Sequence, residues 1–116
     1  MRVLIVEDEA LIAMLLVEWM TELGHEGVGP VATAAAALAI DSAAIDAALL
    51  DLHLRDGDSY EIAAQLQAHG IPFAFASGSG AEGLEDGFRE RPILSKPFSF
   101  EDLEGLLRLW EGSRTA

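Results

Sequence analysis

Three carboxylates follow two apolar runs of the sequence, at the points where those runs end. Glu7 and Asp8 come directly after residues 2–6, and Asp51 ends the run 47–51. Apolar runs of this length that break into turn residues are typical of strands buried on both faces. Because the carboxyl ends of parallel strands meet at one edge of a sheet, we expect the three carboxylates to converge there.

Carboxylates that converge in this way repel one another. At about 4 Å and an effective dielectric near 20, each pair costs roughly 4 kcal/mol, so without a counter-ion at least one group would keep a proton. A hard divalent cation removes this conflict, and an all-oxygen, partly hydrated site suits Mg²⁺. The cation would also orient a phosphoryl group towards a carboxylate nucleophile, and aspartate can form an acyl phosphate. The three acids therefore predict phosphoryl chemistry at a magnesium site.

One lysine and one serine complete the candidate set. Lys96 is the only lysine of a chain with 20 acidic residues, and it lies just beyond the short apolar run 93–94. A partner for the acidic pocket and for a phosphoryl oxygen explains this lysine better than surface solubility does. Ser77 follows the apolar run 73–76, and its hydroxyl could donate to the same phosphoryl group. A helix or turn cap explains Ser77 equally well.

The elements that must position these side chains alternate along the chain. Five apolar runs are separated by segments of helix-forming composition, with cap and stop residues at their ends. This alternation predicts an α/β fold, a three-layer α/β/α sandwich around a parallel sheet. The predicted strands are 2–6, 27–31, 47–51, 73–77 and 93–95. The predicted helices are 9–23, 33 to about 40 or 42, 59–69 and 99–111. The predicted caps are Thr33, then Asp58 or Ser59, and finally Ser99 with Asp102 in a capping box.

The segment 78–92 is unusually rich in glycine. Each of its four glycines costs a helix interior about 0.5–1 kcal/mol relative to alanine. Its only large apolar side chains, Leu84 and Phe88, lie four residues apart and are enough to hold one helical turn. We therefore expect the fourth helix of the fold to be short, frayed or mobile.

Composition excludes several classes of function. Acidic residues outnumber basic ones by 20 to 7, for a formal net charge of −13, so the surface repels nucleic acid and anionic lipid. The chain has no cysteine, and its longest apolar run, 10–17, is far shorter than the roughly 20 residues that cross a bilayer. We expect one domain over residues 1–116 that is cytoplasmic and binds neither nucleic acid nor membrane.

The first predicted helix is apolar almost all round, which a single core-facing stripe does not require. An exposed apolar face would indicate docking to a partner. A helix that the rest of the domain covers would need no partner. The sequence leaves both explanations open.

The candidate residues occur in an order that resembles the bacterial response-regulator receiver domain, over essentially the whole chain. The four matching motifs lie at residues 4–9, 49–52, 75–78 and 95–98. Residues 75–80 are similar to a receiver branch with the motif Phe-Ala-Thr-Gly-x-Gly. The resemblance implies a flavodoxin-like (βα)5 fold with the strand order 2-1-3-4-5.

The same resemblance implies an activity. Asp51 would be the phosphoacceptor, supplied by a histidine kinase or a phosphotransfer protein that docks near the first helix. Asp8, Asp51 and the backbone carbonyl of His53 would bind Mg²⁺, with Glu7 helping through water. The side chain of His53 is not an expected ligand. Such a domain promotes its own phosphorylation and dephosphorylation and is not a turnover enzyme.

The resemblance also implies how the phosphoryl group is held and sensed. Ser77 and Lys96 would bind it, and the peptide bond between Lys96 and Pro97 would be cis, as is usual in the family. Most receivers carry Tyr or Phe three residues before the lysine, where this chain has Ile93. Because an aliphatic side chain cannot swing a ring between pocket and solvent, we expect the signal to order residues 78–92 when Ser77 engages the phosphoryl group.

Other functions fit parts of the pattern. A haloacid-dehalogenase-like phosphatase needs a second acid two residues after its nucleophile, and that position is His53. A calcium loop needs alternating acids upstream of Asp56-Gly57, which this chain lacks. A pseudo-receiver that binds partners without phosphorylation is the main alternative. A receiver without an output module would be a shuttle, a sink or a partner-binding switch, unless the chain is a piece of a longer protein. The sequence names neither the kinase nor the downstream partner.

Overall fold

The computed structural model describes residues 1–78, 84–85, 87–88 and 90–115, with side chains through residue 112. The strands are β1 (Arg2–Val6), β2 (Glu26–Val31), β3 (Ala47–Asp51), β4 (His53–Leu54), β5 (Gly57–Asp58), β6 (Phe73–Ser77) and β7 (Ile93–Ser95). The helices are α1 (Ala10–Glu22), α2 (Ala34–Leu38), α3 (Tyr60–Ala68) and α4 (Phe100–Thr115).

Five strands form one parallel sheet in the order β2-β1-β3-β6-β7. Numbered among themselves, these strands have the order 2-1-3-4-5, so the predicted flavodoxin-like α/β fold is confirmed. The remaining two strands, β4 and β5, pair with each other in an antiparallel hairpin directly after β3. The sequence analysis did not predict this hairpin.

The sheet lies between two helical layers, and alternate side chains of each strand face opposite layers. On β1, Val3 and Ile5 pack into one apolar cluster while Leu4 and Val6 pack into the other. Helices α1 and α4 cover the first side, and α2 and α3 cover the second. Strands β3 and β6 are buried along their whole length, and each large apolar side chain so buried contributes about 1.5–3 kcal/mol.

Two of the predicted capping residues form hydrogen bonds at the first turn of a helix. The Thr33 hydroxyl accepts a hydrogen bond from the backbone N–H of Ala36 at 3.1 Å, at the start of α2. At the start of α4, the Ser99 N–H donates to Asp102 Oδ2 at 2.9 Å and the Asp102 N–H donates to Ser99 Oγ at 3.1 Å. This reciprocal pair is the predicted capping box.

Some helix limits differ from the predictions for local reasons. Helix α2 ends at Leu38 rather than near residue 40, and the Asp41 carboxylate starts a separate 3-10 turn by accepting from the backbone N–H two residues on, at 3.0 Å. Of the two candidate caps of α3, Asp58 accepts from the first N–H of the helix at 3.1 Å, whereas Ser59 makes no such bond. Helix α4 continues to Thr115, beyond its predicted end.

The prediction of a short or poorly ordered fourth helix falls largely on residues outside the described ranges. Among the described residues of that connection, Leu84 is buried and Phe88 packs against the core. The Phe88 ring stacks on Tyr60, with 5.5 Å between ring centroids. The Tyr60 hydroxyl accepts a hydrogen bond from the Glu85 N–H at 2.9 Å. The described part of the connection is therefore anchored to α3.

Helix α1 exposes apolar side chains, so the rest of the domain does not cover this helix on all sides. Leu11 is 83% exposed, Met14 65% and Leu15 39%. Ala13, Leu16 and Met20 face the core instead. None of the described helices is long and apolar enough to span a membrane.

Candidate functional site

The paired strands β1 and β3 bring three carboxylates together at the carboxyl edge of the sheet. Val6 lies opposite Leu50 in the parallel register, so the residues that follow them, Glu7 and Asp51, leave the sheet side by side. Asp8 joins them from the connection to α1. One carboxylate oxygen from each of the three acids lies within 4.8 Å of the others. The predicted convergence is thus present.

Lys96 reaches this cluster from β7, at the edge of the sheet. Its Nζ lies 3.2 and 3.4 Å from the two carboxylate oxygens of Glu7 and 3.3 Å from Asp51 Oδ1. The Lys96 N–H donates to the carbonyl oxygen of Ser77 at 2.9 Å, which fixes the backbone beside the site. The bond between Lys96 and Pro97 is cis, as the resemblance implied.

The electrostatics of the cluster reflect its burial. The pKa of Glu7 is raised from 4.5 to about 7, first by burial and then by the hydrogen bond and the negative charge of Asp51, while Lys96 opposes the rise. Burial alone would lower the pKa of Lys96, but the charges of Asp51 and Glu7 outweigh it and raise that pKa above 10.5. One ammonium therefore does not neutralise all three acids, and Glu7 holds a proton up to about neutral pH.

The donor set of the cluster fits Mg²⁺. All of its ligand atoms are hard carboxylate oxygens, which Mg²⁺ prefers. A divalent cation would also offset the negative charge of Asp51, which adds to burial in raising the pKa of Glu7. The site also lies at the carboxyl edge of a parallel sheet, where ligands bind in folds of this class.

Ser77 ends β6, the strand between β3 and β7. Asp51 pairs with Ala76, and Ser77 pairs with Ser95, so the buried Ser77 lies at the same sheet edge as the carboxylates and one residue from the lysine. The fold therefore brings Ser77 to the sheet edge that carries the cluster.

Two further predicted residues lie on short strands. His53 begins β4 with an exposed side chain. Ile93 begins β7 opposite Phe75 and packs against the core. It is three residues from Lys96 and at the far end of the strand.

Sequence reasoning missed two side chains at the tip of the β4–β5 hairpin. Arg55 Nη2 donates to the backbone carbonyl oxygen of Asp8 at 3.2 Å. Asp56 accepts hydrogen bonds from the first backbone N–H groups of α2, those of Ala34 and Ala35, at 2.8 and 3.1 Å. The turn residues Asp56-Gly57 predicted a turn, but nothing in the sequence specifies the distant groups that the turn binds.

Comparison with protein-family models and with curated protein sequences finds no match. Among solved structures, SdrG from Sphingomonas melonis Fr1 superimposes with a TM-score of 0.82, at 43% identity over 94% of this chain and 94% of SdrG. The response regulator PhyR from Brucella abortus gives a TM-score of 0.80, at 32% identity over 97% of this chain and 50% of PhyR. The chain is a response-regulator receiver domain.

A third relative was crystallised with a bound metal. It is the receiver domain of the sensor histidine kinase PA1611 from Pseudomonas aeruginosa PAO1, crystallised with a magnesium ion coordinated in its active-site cleft. Its TM-score to this receiver is 0.75, at 26% identity over 96% of this chain and 97% of that domain. These relatives are response regulators and receiver domains, which are signalling proteins.

Proposed function

We propose that this receiver accepts a phosphoryl group on Asp51, from a histidine kinase or a histidine phosphotransfer protein, with Mg²⁺ as cofactor. The observation that carries the proposal is the shared contact of Lys96 Nζ with Asp51 and Glu7, beside Asp8. We assign one receiver domain to residues 1–116 and place it in the cytoplasm, where such kinases present their phosphohistidine. The same domain would catalyse loss of its own phosphoryl group and would not turn over external substrates.

The metal would be held by Asp8, Asp51 and the backbone carbonyl of His53, with Glu7 contributing through water. When bound, Mg²⁺ would neutralise the negative oxygens of the incoming phosphoryl group. The PA1611 receiver with its magnesium ion supports this assignment. The proton on Glu7 would leave as the cation binds, because a nearby cation favours the charged form of a carboxyl group.

Phosphoryl transfer would be a direct displacement. An Asp51 carboxylate oxygen forms the new bond to phosphorus, while the bond from phosphorus to the donor imidazole nitrogen breaks and the nitrogen keeps the electron pair. Lys96, now 3.3 Å from Asp51, would bind one phosphoryl oxygen, and the Ser77 hydroxyl would donate to another. The structure of SdrG in a BeF3-activated conformation supports a site of this kind.

The donor would dock on α1. The exposed side chains of Leu11, Met14 and Leu15 form an apolar face on this helix. Beside it lies a cavity of about 340 Å³ whose lining includes Ile12, Pro97 and the phosphoryl-binding lysine. An apolar helix face next to a reactive edge fits the surface of a helical bundle that carries the phosphohistidine. The downstream role would be that of a shuttle, a sink or a partner-binding switch.

The alternative function is that of a pseudo-receiver, which binds partners without being phosphorylated. The complete set of acids, lysine and serine at one sheet edge favours the phosphorylated form. A pseudo-receiver would have no need to bury Glu7 in a protonated state beside an aspartate.

The test is incubation of the chain with Mg²⁺ and a small phosphodonor such as acetyl phosphate, followed by intact-mass measurement. We expect the mass to increase by one phosphoryl group and the increase to disappear in Asp51→Asn. Asp46→Asn is the matched control, because Asp46 directly precedes the same strand at the opposite sheet edge. Full labelling of Asp51→Asn, or no labelling of the wild type by any phosphodonor, would refute the proposal.

A further inference from the structure

The hairpin that follows the phosphoacceptor strand has a two-residue tip, Arg55 and Asp56. Its short strands pair His53 with Asp58 and Leu54 with Gly57. Gly57 has a φ of +138°, a conformation that side chains other than glycine rarely adopt. The tip therefore has a defined shape, and both of its side chains reach other connections of the fold.

Arg55 binds the connection that carries Asp8. Its guanidinium donates to the Asp8 carbonyl oxygen at 3.2 Å, across 47 residues of sequence. The next residue, Glu9, is the cap position of α1 and makes no side-chain capping bond. Within the described part of the chain, the Asp8 carboxylate has no hydrogen-bond or ion-pair partner. The contact with Arg55 is thus a specific tie between this connection and the hairpin.

Asp56 holds the other side of the tip. Its two carboxylate oxygens accept from the backbone N–H groups of Ala34 and Ala35, at 2.8 and 3.1 Å. These bonds lower the pKa of Asp56 below 3.8, so the carboxylate stays charged at neutral pH. A tip held to α2 in this way presents the Arg55 side chain in one direction.

Asp8 needs such support because its neighbours repel it. The carboxylates of Glu7 and Asp51 lie within 4.8 Å of it, while Lys96 contacts those two acids. Without a tie, repulsion would push the connection that carries Asp8 away from the cluster. A guanidinium on the backbone carbonyl opposes that movement and leaves the Asp8 carboxylate available to a metal.

We infer that Arg55 is a positioning residue that holds the main chain of Asp8 so that its carboxylate can join Glu7 and Asp51 around Mg²⁺. The inference rests on the magnesium site of the proposed function. The inference predicts that removal of the Arg55 guanidinium weakens Mg²⁺ binding, whereas charge repulsion alone predicts that it strengthens Mg²⁺ binding. A cationic side chain near a divalent cation weakens metal binding by repulsion, whereas a residue that preorganises a ligand strengthens it.

The test is a calorimetric titration of the chain with Mg²⁺ alone, at a pH above the pKa of Glu7. In Arg55→Met, which keeps the apolar stem but loses the guanidinium, we expect the Kd for Mg²⁺ to rise by about tenfold. Arg108→Met removes the same charge from an exposed position on α4 and is expected to leave the Kd unchanged. Arg55→Lys keeps a donor and is expected to lie between Arg55→Met and the wild type.

A second readout needs no metal. Loss of the hydrogen bond should move the carbonyl ¹³C resonance of Asp8 in Arg55→Met, while Arg108→Met leaves that resonance in place. Equal or tighter Mg²⁺ binding by Arg55→Met would overturn the inference. If Asp8→Ala loses Mg²⁺ binding and Arg55→Met does not, only the inference fails. If the wild type itself binds no Mg²⁺, the proposed function fails along with the inference.

Discussion

Replacing Glu7 by glutamine is expected to stabilise the metal-free receiver above neutral pH and to have little effect in acid. Burial first, and then Asp51, raise the pKa of Glu7 from 4.5 to about 7. Because the folded-state pKa lies above the unfolded value, the folded protein holds the proton more tightly. The stability that this proton contributes is complete below about pH 4.5 and is lost as the pH rises through about 7. At 1.36 kcal/mol per pKa unit, the loss is roughly 3 kcal/mol.

Glutamine imitates the protonated carboxyl, so Glu7→Gln avoids this loss. Lys96 also contacts Asp51, at 3.3 Å, and this contact does not involve Glu7. We expect urea unfolding at about pH 8 to give a free energy roughly 3 kcal/mol higher for the variant than for the wild type, and about pH 5 to give nearly equal values. Glu18→Gln, at an exposed position of α1, should show no such pH dependence. If the unfolding free energies of the wild type and of Glu7→Gln changed with pH in the same way, the reasoning would be refuted.

The affinity for Mg²⁺ should depend on pH, because the cation displaces the same proton from Glu7. If Mg²⁺ displaces one proton from a group with a pKa of about 7, the wild-type Kd should be about tenfold higher at about pH 6 than at about pH 8. Glu7→Gln has no proton to displace, so its Kd should lose this dependence. Equal wild-type affinities at the two pH values would contradict the displacement.

Four further predictions concern separate parts of the receiver. Lys96→Met should slow labelling by a small phosphodonor by about 10²-fold, measured by intact mass, while Mg²⁺ binding is retained because a cation has been removed. Ser59 Oγ is buried without a hydrogen-bond partner in the described structure, so Ser59→Ala should raise the unfolding free energy by roughly 1 kcal/mol. Ser99→Ala should lower it by about 1 kcal/mol through loss of the α4 cap, and urea unfolding of both variants checks this contrast. Leu11→Asp combined with Met14→Asp should slow transfer from a phosphohistidine protein but not from the small phosphodonor, with stability within about 0.5 kcal/mol of the wild type, because both side chains are exposed.

The strands and the acidic cluster were predictable because each depends on a local pattern. Continuous apolar runs such as 47–51 are typical of strands buried on both faces, and β3 is buried at every position. Once parallel strands were predicted, the residues at their carboxyl ends had to share one edge. The apolar runs alone do not indicate which strands are neighbours, so the strand order was predicted from the family resemblance.

The contacts that the hairpin tip makes across the fold could not be predicted. Arg55 and its partner Asp8 are 47 residues apart, and Asp56 and Ala34 are 22 apart, so no periodicity connects them. The hairpin itself is too short for a strand pattern to be visible. The end of α2 was predicted too late because helix propensity favoured continuation, whereas the Asp41 side chain bonds to the backbone and starts a new turn.

Locating the phosphoryl group on the chain shows whether Asp51 is the phosphoacceptor. The receiver would be labelled with Mg²⁺ and a small phosphodonor, and the acyl phosphate reduced with borohydride, which converts a phosphorylated aspartate into homoserine. Tandem mass spectrometry of the peptides then identifies the position. The account predicts homoserine at residue 51 and at no other aspartate. Homoserine at residue 8 or at another aspartate, or none in protein that has gained the phosphoryl mass, would contradict it.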